Sequence, residues 1–214
     1  MPKPVVREPL RSNSRSNRVR ILAAARQELG RNPDVTLEEI ARAAGVVRRT
    51  LFGHFPGRAA LLDALAEEAS EALRGIAVRA PAPEETPQHA LARFVLSIWP
   101  VGDRYRLLLA LARQDLGTER VSEILAPARN EATAILERGQ GAGVFHGHLP
   151  APVLSAALEA LTLSLLESVN AGTWEDDGTR TAVATLVAAG VAEQSATGIV
   201  KDVAAEMRAE SSDG

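Results

Sequence analysis

The chain has 214 residues, 46% of them hydrophobic and 3% aromatic, with no cysteine and a formal net charge of -3; it can bury a real core, and it excludes disulfides and cysteine-based zinc sites. Apolar runs such as residues 182–192 fall short of the ~18 residues a membrane span requires, and MPKPVVREPLRSNSRSNR lacks the apolar block of ~7–15 residues of a secretory signal, so no membrane partner and a cytoplasmic location are expected. Residues 1–60 carry 12 Lys+Arg against 5 Asp+Glu and residues 61–214 carry 12 against 22, a basic head on an acidic body, as expected of a polyanion-binding module joined to something that avoids polyanions.

Residues 1–16 mix proline, serine and arginine without an apolar period and are expected to form a flexible basic arm. From Asn17 the pattern becomes that of an amphipathic helix, with Leu22, Ala25 and Leu29 at i, i+3 and i+7 beside Ile21, ending near Gly30. Thr36-Leu37-Glu38-Glu39 is a capping box that starts a second helix, with Leu37, Ile40, Ala41 and Ala44 on one face. Gly45 is suited to the left-handed turn that ends it. Residues 46–54 are predicted to form a third short helix, buried through Val47 and Leu51 and closed by Phe55. That leaves Arg48, Arg49, Thr50, Phe52 and Gly53 facing outward. Two short helices joined by a tight glycine turn make a helix-turn-helix, whose second member has the size to enter the DNA major groove.

After Pro56-Gly57 a longer helix repeats Leu62, Leu65, Ala69, Leu73 and Ile76 on one face up to Pro81-Ala82-Pro83. This linker is the expected boundary between residues 17–80 and a second domain at 84–210. Further helices are expected at 87–99, 103–116, 118–141, 151–171 and 179–194, with a terminal one to Arg208. Pro127 should kink or split the third of these. No strand alternation of useful length occurs, so the fold class is all-α. LSAALEALTLSLLESV and TAVATLVAAGVA are apolar or small on nearly all sides and lack enough neighbours in a monomer. They are expected to form a homodimer interface through Leu158, Leu161, Leu165, Val183, Leu186 and Val187, the alternative being that both are central helices of a single bundle.

The run TLEEIARAAGVVRRTLFGHFPGRAALLDAL resembles the DNA-binding domain of the TetR/AcrR family of transcriptional regulators. It shares a capped second helix, an Ala-Gly-Val turn, Thr-Leu followed by an aromatic in the recognition helix, a His-Phe end, then a cation and Ala-Leu-Leu. QGAGVFHGHLP, at residues 140–150, resembles a common passage between two helices of the family's regulatory domain. The resemblance implies an N-terminal three-helix helix-turn-helix domain followed by a helical ligand-binding and dimerisation domain. It places Thr36 at a phosphate, Arg48, Arg49 and Thr50 at base edges, Phe52 and His54 at the backbone or groove, and Arg58 at a phosphate beside a helix N-terminus. Val47 departs from the usual Ser or Thr cap, and Phe52 from the common tyrosine. Both departures put more weight on Arg48, Arg49 and the arm residues Arg7, Arg11 and Arg15.

The family also implies a small-molecule effector, for which Phe94, Trp99, Tyr105, Gln114, Phe145 and Trp174 are the candidate pocket groups. With so few aromatics, a flexible apolar ligand fits better than a large flat one. An enzyme would have to use His146 and His148, which are expected to be exposed loop residues without an acidic partner, or Glu159 and Glu167, whose eight-residue separation is not the i, i+3 or i+4 that brings helical carboxylates together. No nucleophile motif or phosphate-cradling glycine loop is present. The expectation is a non-enzymatic regulator of double-stranded DNA, without cofactor or metal, that acts as a repressor on a palindromic operator and is released by a small molecule. The competing reading is a ligand-independent architectural DNA-binding protein.

Overall fold

The computed structural model describes residues 8–77, 85–115 and 117–212. Among these it contains nine helices and no strand: α1 (Glu8–Arg31), α2 (Leu37–Ala43), α3 (Arg48–His54), α4 (Arg58–Ala77), α5 (Pro87–Asp115), α6 (Gly117–Gly141), α7 (Ala151–Asn170), α8 (Thr179–Ala188) and α9 (Glu193–Ser212). Arg7, the side chains of Arg11 and Gln114, and the Pro81-Ala82-Pro83 linker lie outside the described residues. Two compact units are present, one drawn from residues 1–68 and 107–121, the other from 69–106 and 122–214.

In the first unit α1, α2 and α3 pack on one another. Ile21, Leu22, Ala25 and Leu29 of α1, Ile40 and Ala41 of α2, Leu51 of α3, Phe55, and Leu61, Leu62 and Leu65 of α4 are all buried. Helix α1 begins at Glu8, nine residues before the expected start, so residues 8–16 are helical where a flexible arm is expected. Pro9 sits in the first turn, where its missing N–H costs nothing. No further proline or glycine interrupts the chain until Gly30.

In the second unit α7 packs on α8 and α8 on α9. The core joins Leu91, Val95, Ile135, Leu136, Leu154, Leu158, Leu186, Val200 and Val203. Helix α5 is continuous through Pro100, where a gap between helices is expected, and α6 is not split at Pro127. An interior proline costs ~3 kcal/mol or more, but Val95, Leu96 and Trp99 on one side of Pro100, and Ile135 and Leu136 beyond Pro127, are buried and hold the turns in register. The opposite correction applies to residues 179–194. Helix α8 stops at Ala188, and Gly190, at φ +105°, turns the chain into α9. Val191 N–H donates to Leu186 C=O at 3.0 Å, closing the end in the left-handed manner that favours glycine.

Helix α7 is long and apolar enough, by length and composition alone, to cross a membrane, although its uninterrupted apolar runs are short. Here it packs in the second unit: Leu154 and Leu158 join the core, and Glu159 accepts two hydrogen bonds from Arg129, at 2.9 and 3.0 Å. That bidentate carboxylate raises the Arg129 pKa above its ordinary value, against the smaller opposing effect of burial.

Phe145 packs against α6 at Gly139. A Cβ there would stand 2.9 Å from Phe145 Cγ and closer still to the ring edge. Gly139→Ala is therefore expected to displace the ring and destabilise the second unit by about 1–3 kcal/mol, the usual cost of overpacking. Chemical denaturation monitored by far-UV circular dichroism checks this, and an unchanged midpoint would refute it.

Candidate nucleic-acid interface

The outward face of the first unit is built on the turn between α2 and α3. Thr36 is the N-cap of α2, and its hydroxyl oxygen accepts from Glu39 N–H at 3.3 Å. Glu39 Oε2 in return accepts from Thr36 N–H at 2.8 Å and from the Thr36 hydroxyl at 2.7 Å. The backbone hydrogen bond from Thr36, then that from its hydroxyl, lowers the Glu39 pKa. The box expected from the sequence is formed, and it commits the Thr36 hydroxyl proton to Glu39.

At the other end Gly45 has φ +63°, the left-handed region in which a Cβ is strained. The Arg20 guanidinium lies over this turn. Its Nε and Nη2 donate to Ala44 C=O at 3.2 and 2.6 Å, and Nη2 donates to Gly45 C=O at 2.8 Å. A Cβ on Gly45 would come within 3.0 Å of Arg20 Nη2. A cation at the C-terminus of α2 satisfies carbonyls the helix leaves open and meets the negative end of its dipole. Sequence reasoning passes over Arg20, because its partners lie 24 and 25 residues away and no local motif announces them.

The N-cap of α3 is Val47, whose backbone is extended and whose side chain makes no cap. Leu51 and Phe55 are buried as expected, at 0% and 2% exposure, but Val47 is 69% exposed. The i, i+4 spacing from Val47 to Leu51 fails because an N-cap residue is not yet on the helical wheel. The Arg18 guanidinium lies 5.0 Å from the Phe55 ring centroid and covers its edge of the core.

Arg48, Arg49 and Gly53 are exposed, while Thr50, Phe52 and His54 are half-buried. Arg48 Nε lies 3.0 Å from Glu38 Oε1, and its guanidinium carbon is 5.1 Å from the Phe52 ring centroid. Arg49 has no ion pair among the described residues. Glu38 could have been suspected from the sequence, since two acids open α2 and the capping box uses only Glu39. Arg58 behaves otherwise than the resemblance implies. Its guanidinium turns inward and donates to Val35 C=O at 3.1 Å and Pro33 C=O at 2.5 Å, bracing the start of α4 to the loop before α2. The fork is spent on these two carbonyls.

In the second unit, Phe94 and Phe145 belong to the packed core. Trp99 and Tyr105 are buried, with Trp99 against Gly178, where a Cβ would be 2.8 Å from Trp99 Cγ. Trp174 is half-buried beneath Arg180, 4.9 Å from the guanidinium carbon. Of the six residues expected at a dimer interface, Leu158 and Leu186 are taken up by the core of their own chain. Leu161, Leu165 and Val183 are half-buried and Val187 is exposed. This corrects the expectation for the first two: a helix apolar all round gives its most central leucines to its own fold first.

His148 is exposed as expected, but His146 is half-buried. The two rings stack at 3.7 Å, and His146 Nε2 is 2.9 Å from Ala188 C=O. Among the described residues no group of three His, Asp or Glu side chains is placed to hold a metal ion.

Residues 21–65 match the family model described as bacterial regulatory proteins, tetR family. No curated protein matches the chain. Among solved structures, the chain is similar to a tetR-family regulatory protein from Rhodococcus RHA1, with 21% identity, TM-score 0.65 and coverage of 82% of this chain and 98% of that one. It is also similar to the TetR-like regulator LfrR from Mycobacterium smegmatis in complex with proflavine, with 24% identity, TM-score 0.63 and coverage of 81% and 93%. A third is the regulator FadR from Bacillus subtilis in complex with stearoyl-CoA, with 16% identity, TM-score 0.67 and coverage of 80% and 97%. At these identities the likeness establishes the fold. Residues 21–65, from within α1 to within α4, thus match the tetR-family model, and the chain is similar to TetR-family structures in its all-α fold.

Proposed function

We propose that this protein is a transcriptional regulator that binds double-stranded DNA through α3. It acts as a homodimeric repressor on a palindromic operator and lets go when a small molecule binds. The observation that carries the reading is the pair Arg48 and Arg49 on the exposed side of a helix whose other side is anchored by Leu51 and Phe55, inside the stretch that matches the family. An arginine fork matches guanine O6 and N7 in the major groove, with His54 left to set position on phosphates.

One such helix reads too few base pairs, so two copies about one helical turn, ~34 Å, or a small multiple apart are needed. The outer side of α7 supports dimerisation: Val153, Ala156, Ala157, Ala160 and Ser164 are exposed and small or apolar, and Leu161, Leu165, Val183 and Val187 complete the proposed interface. Residues 17–80 serve as the DNA-binding domain and 84–210 as the regulatory domain. The complexes of LfrR with proflavine and of FadR with stearoyl-CoA support an effector here too. The buried Phe94, Trp99, Tyr105 and Phe145 would form the apolar surroundings of a flexible ligand that prefers one spacing of the two recognition helices. A regulator of this kind works in the cytoplasm.

Footprinting on duplexes selected from a randomised pool tests the reading. A two-fold symmetric protected site, with affinity falling by roughly 0.9 log units per phosphate contact for each decade of salt, is expected. Binding without sequence preference would favour the architectural alternative, and no duplex binding would end both.

A further inference from the structure

We infer that Glu38 is a positioning residue for base readout, holding the Arg48 guanidinium so that its two terminal nitrogens face the groove; the inference rests on the DNA-binding reading of α3. Glu38 and Glu39 open α2 side by side, but only Glu39 serves the capping box. The Glu38 carboxylate reaches across to α3, where Oε1 stands 3.0 Å from Arg48 Nε. The guanidinium carbon of Arg48 also sits over the Phe52 ring, 5.1 Å from its centroid. The group is thus contacted by a carboxylate and by an aromatic ring. Arg48 has no ion-pair partner but Glu38 among the described residues, and the terminal nitrogens of an arginine are the pair that forks onto guanine.

Folding does not explain the contact. Both side chains are exposed, 69% for Arg48 and 44% for Glu38, and an exposed ion pair contributes little to stability. A carboxylate on a surface that meets phosphates also opposes binding to every duplex alike. What the pair does provide is a guanidinium whose torsions are already restricted before it meets a base, which lowers the ordering cost of that contact. The arrangement weakens indiscriminate binding and sharpens the choice at one base pair. Arg49, next along the helix, has no such support among the described residues.

The test uses the full chain and a duplex recovered by the wild-type protein from a randomised pool, with every single-base-pair substitution of that duplex and a random duplex as competitor. Arg48→Ala identifies the base pair that Arg48 reads. Glu38→Gln is expected to bind the random duplex more tightly and to lose about threefold to tenfold of its discrimination per half-site at that same base pair. The double variant E38Q/R48A should discriminate no worse there than R48A alone. Glu38→Asp keeps the charge and shortens the reach by one methylene, so it should lose discrimination at that base pair without the gain on random duplex. If E38Q gains affinity uniformly and keeps its full preference at the Arg48 base pair, Glu38 is only a repulsive charge and this inference is overturned while the regulator reading survives. If the wild-type chain shows no preference for any duplex, both are overturned.

Discussion

The variant R48A/R49A is expected to keep its fold and lose its operator. Each bidentate arginine contact discriminates its base by ~1–3 kcal/mol, and a symmetric dimer makes four of them, so about 4–12 kcal/mol of preference is at stake. That range spans the ~4–10 kcal/mol by which specific complexes of this kind exceed non-specific ones. No other residue on the outward face of α3 offers a comparable fork: Thr50, Phe52 and His54 are half-buried, and Gly53 has no side chain. Residual binding should resemble that to random duplex, weaker than wild type and less steep in salt, because four positive charges per dimer are gone. Each single variant should relax one base pair per half-site. The measurement is competition between the selected duplex and random DNA, with circular dichroism confirming unchanged helicity. A double variant that still prefers the selected duplex by a hundredfold would move base readout to other residues.

The features legible in the sequence are those decided within a few residues. The Thr36–Glu39 box, the glycine turn at Gly45 and the burial of Leu51 and Phe55 depend on spacing and on one φ angle, and each is found where expected. Features that depend on distant partners were not legible. Arg58 looks like a free cation beside a helix N-terminus until Pro33 and Val35 are seen to offer it carbonyls. Arg20 is invisible without Ala44 and Gly45. Prolines 100 and 127 mislead for the opposite reason, since local cost argues for breaks that buried neighbours on either side override. At Gly190 the apolar pattern runs on across a backbone position that a helix cannot hold. The outward arginines belonged to the first class, and so did the second acid that opens α2, Glu38, although its contact with Arg48 did not.

Leu51→Ala is expected to have the largest effect on the fold of the DNA-binding unit. Helix α3 has seven residues and no side-chain cap, far below the ~12–15 residues at which an isolated helix is even marginal in water. Its persistence depends on packing, and Leu51 is its fully buried member, at 0% exposure. Truncation to alanine removes the transfer free energy of the lost carbons and leaves a cavity, together about 2–5 kcal/mol. A unit of this size has only about 3–10 kcal/mol in all, so α3 should detach or the unit should unfold at ordinary temperature. Affinity should then fall for every duplex alike, unlike the base-specific loss in the arginine variants. The core around Leu136 and Leu186 contains no part of α3, so amides there should keep their protection in hydrogen exchange while those of residues 37–55 lose it. Leu51→Met conserves volume and should cost less than about 1.5 kcal/mol, retaining sequence preference. A Leu51→Ala protein with native protection across α3 would show that the recognition helix is held by something other than this one side chain.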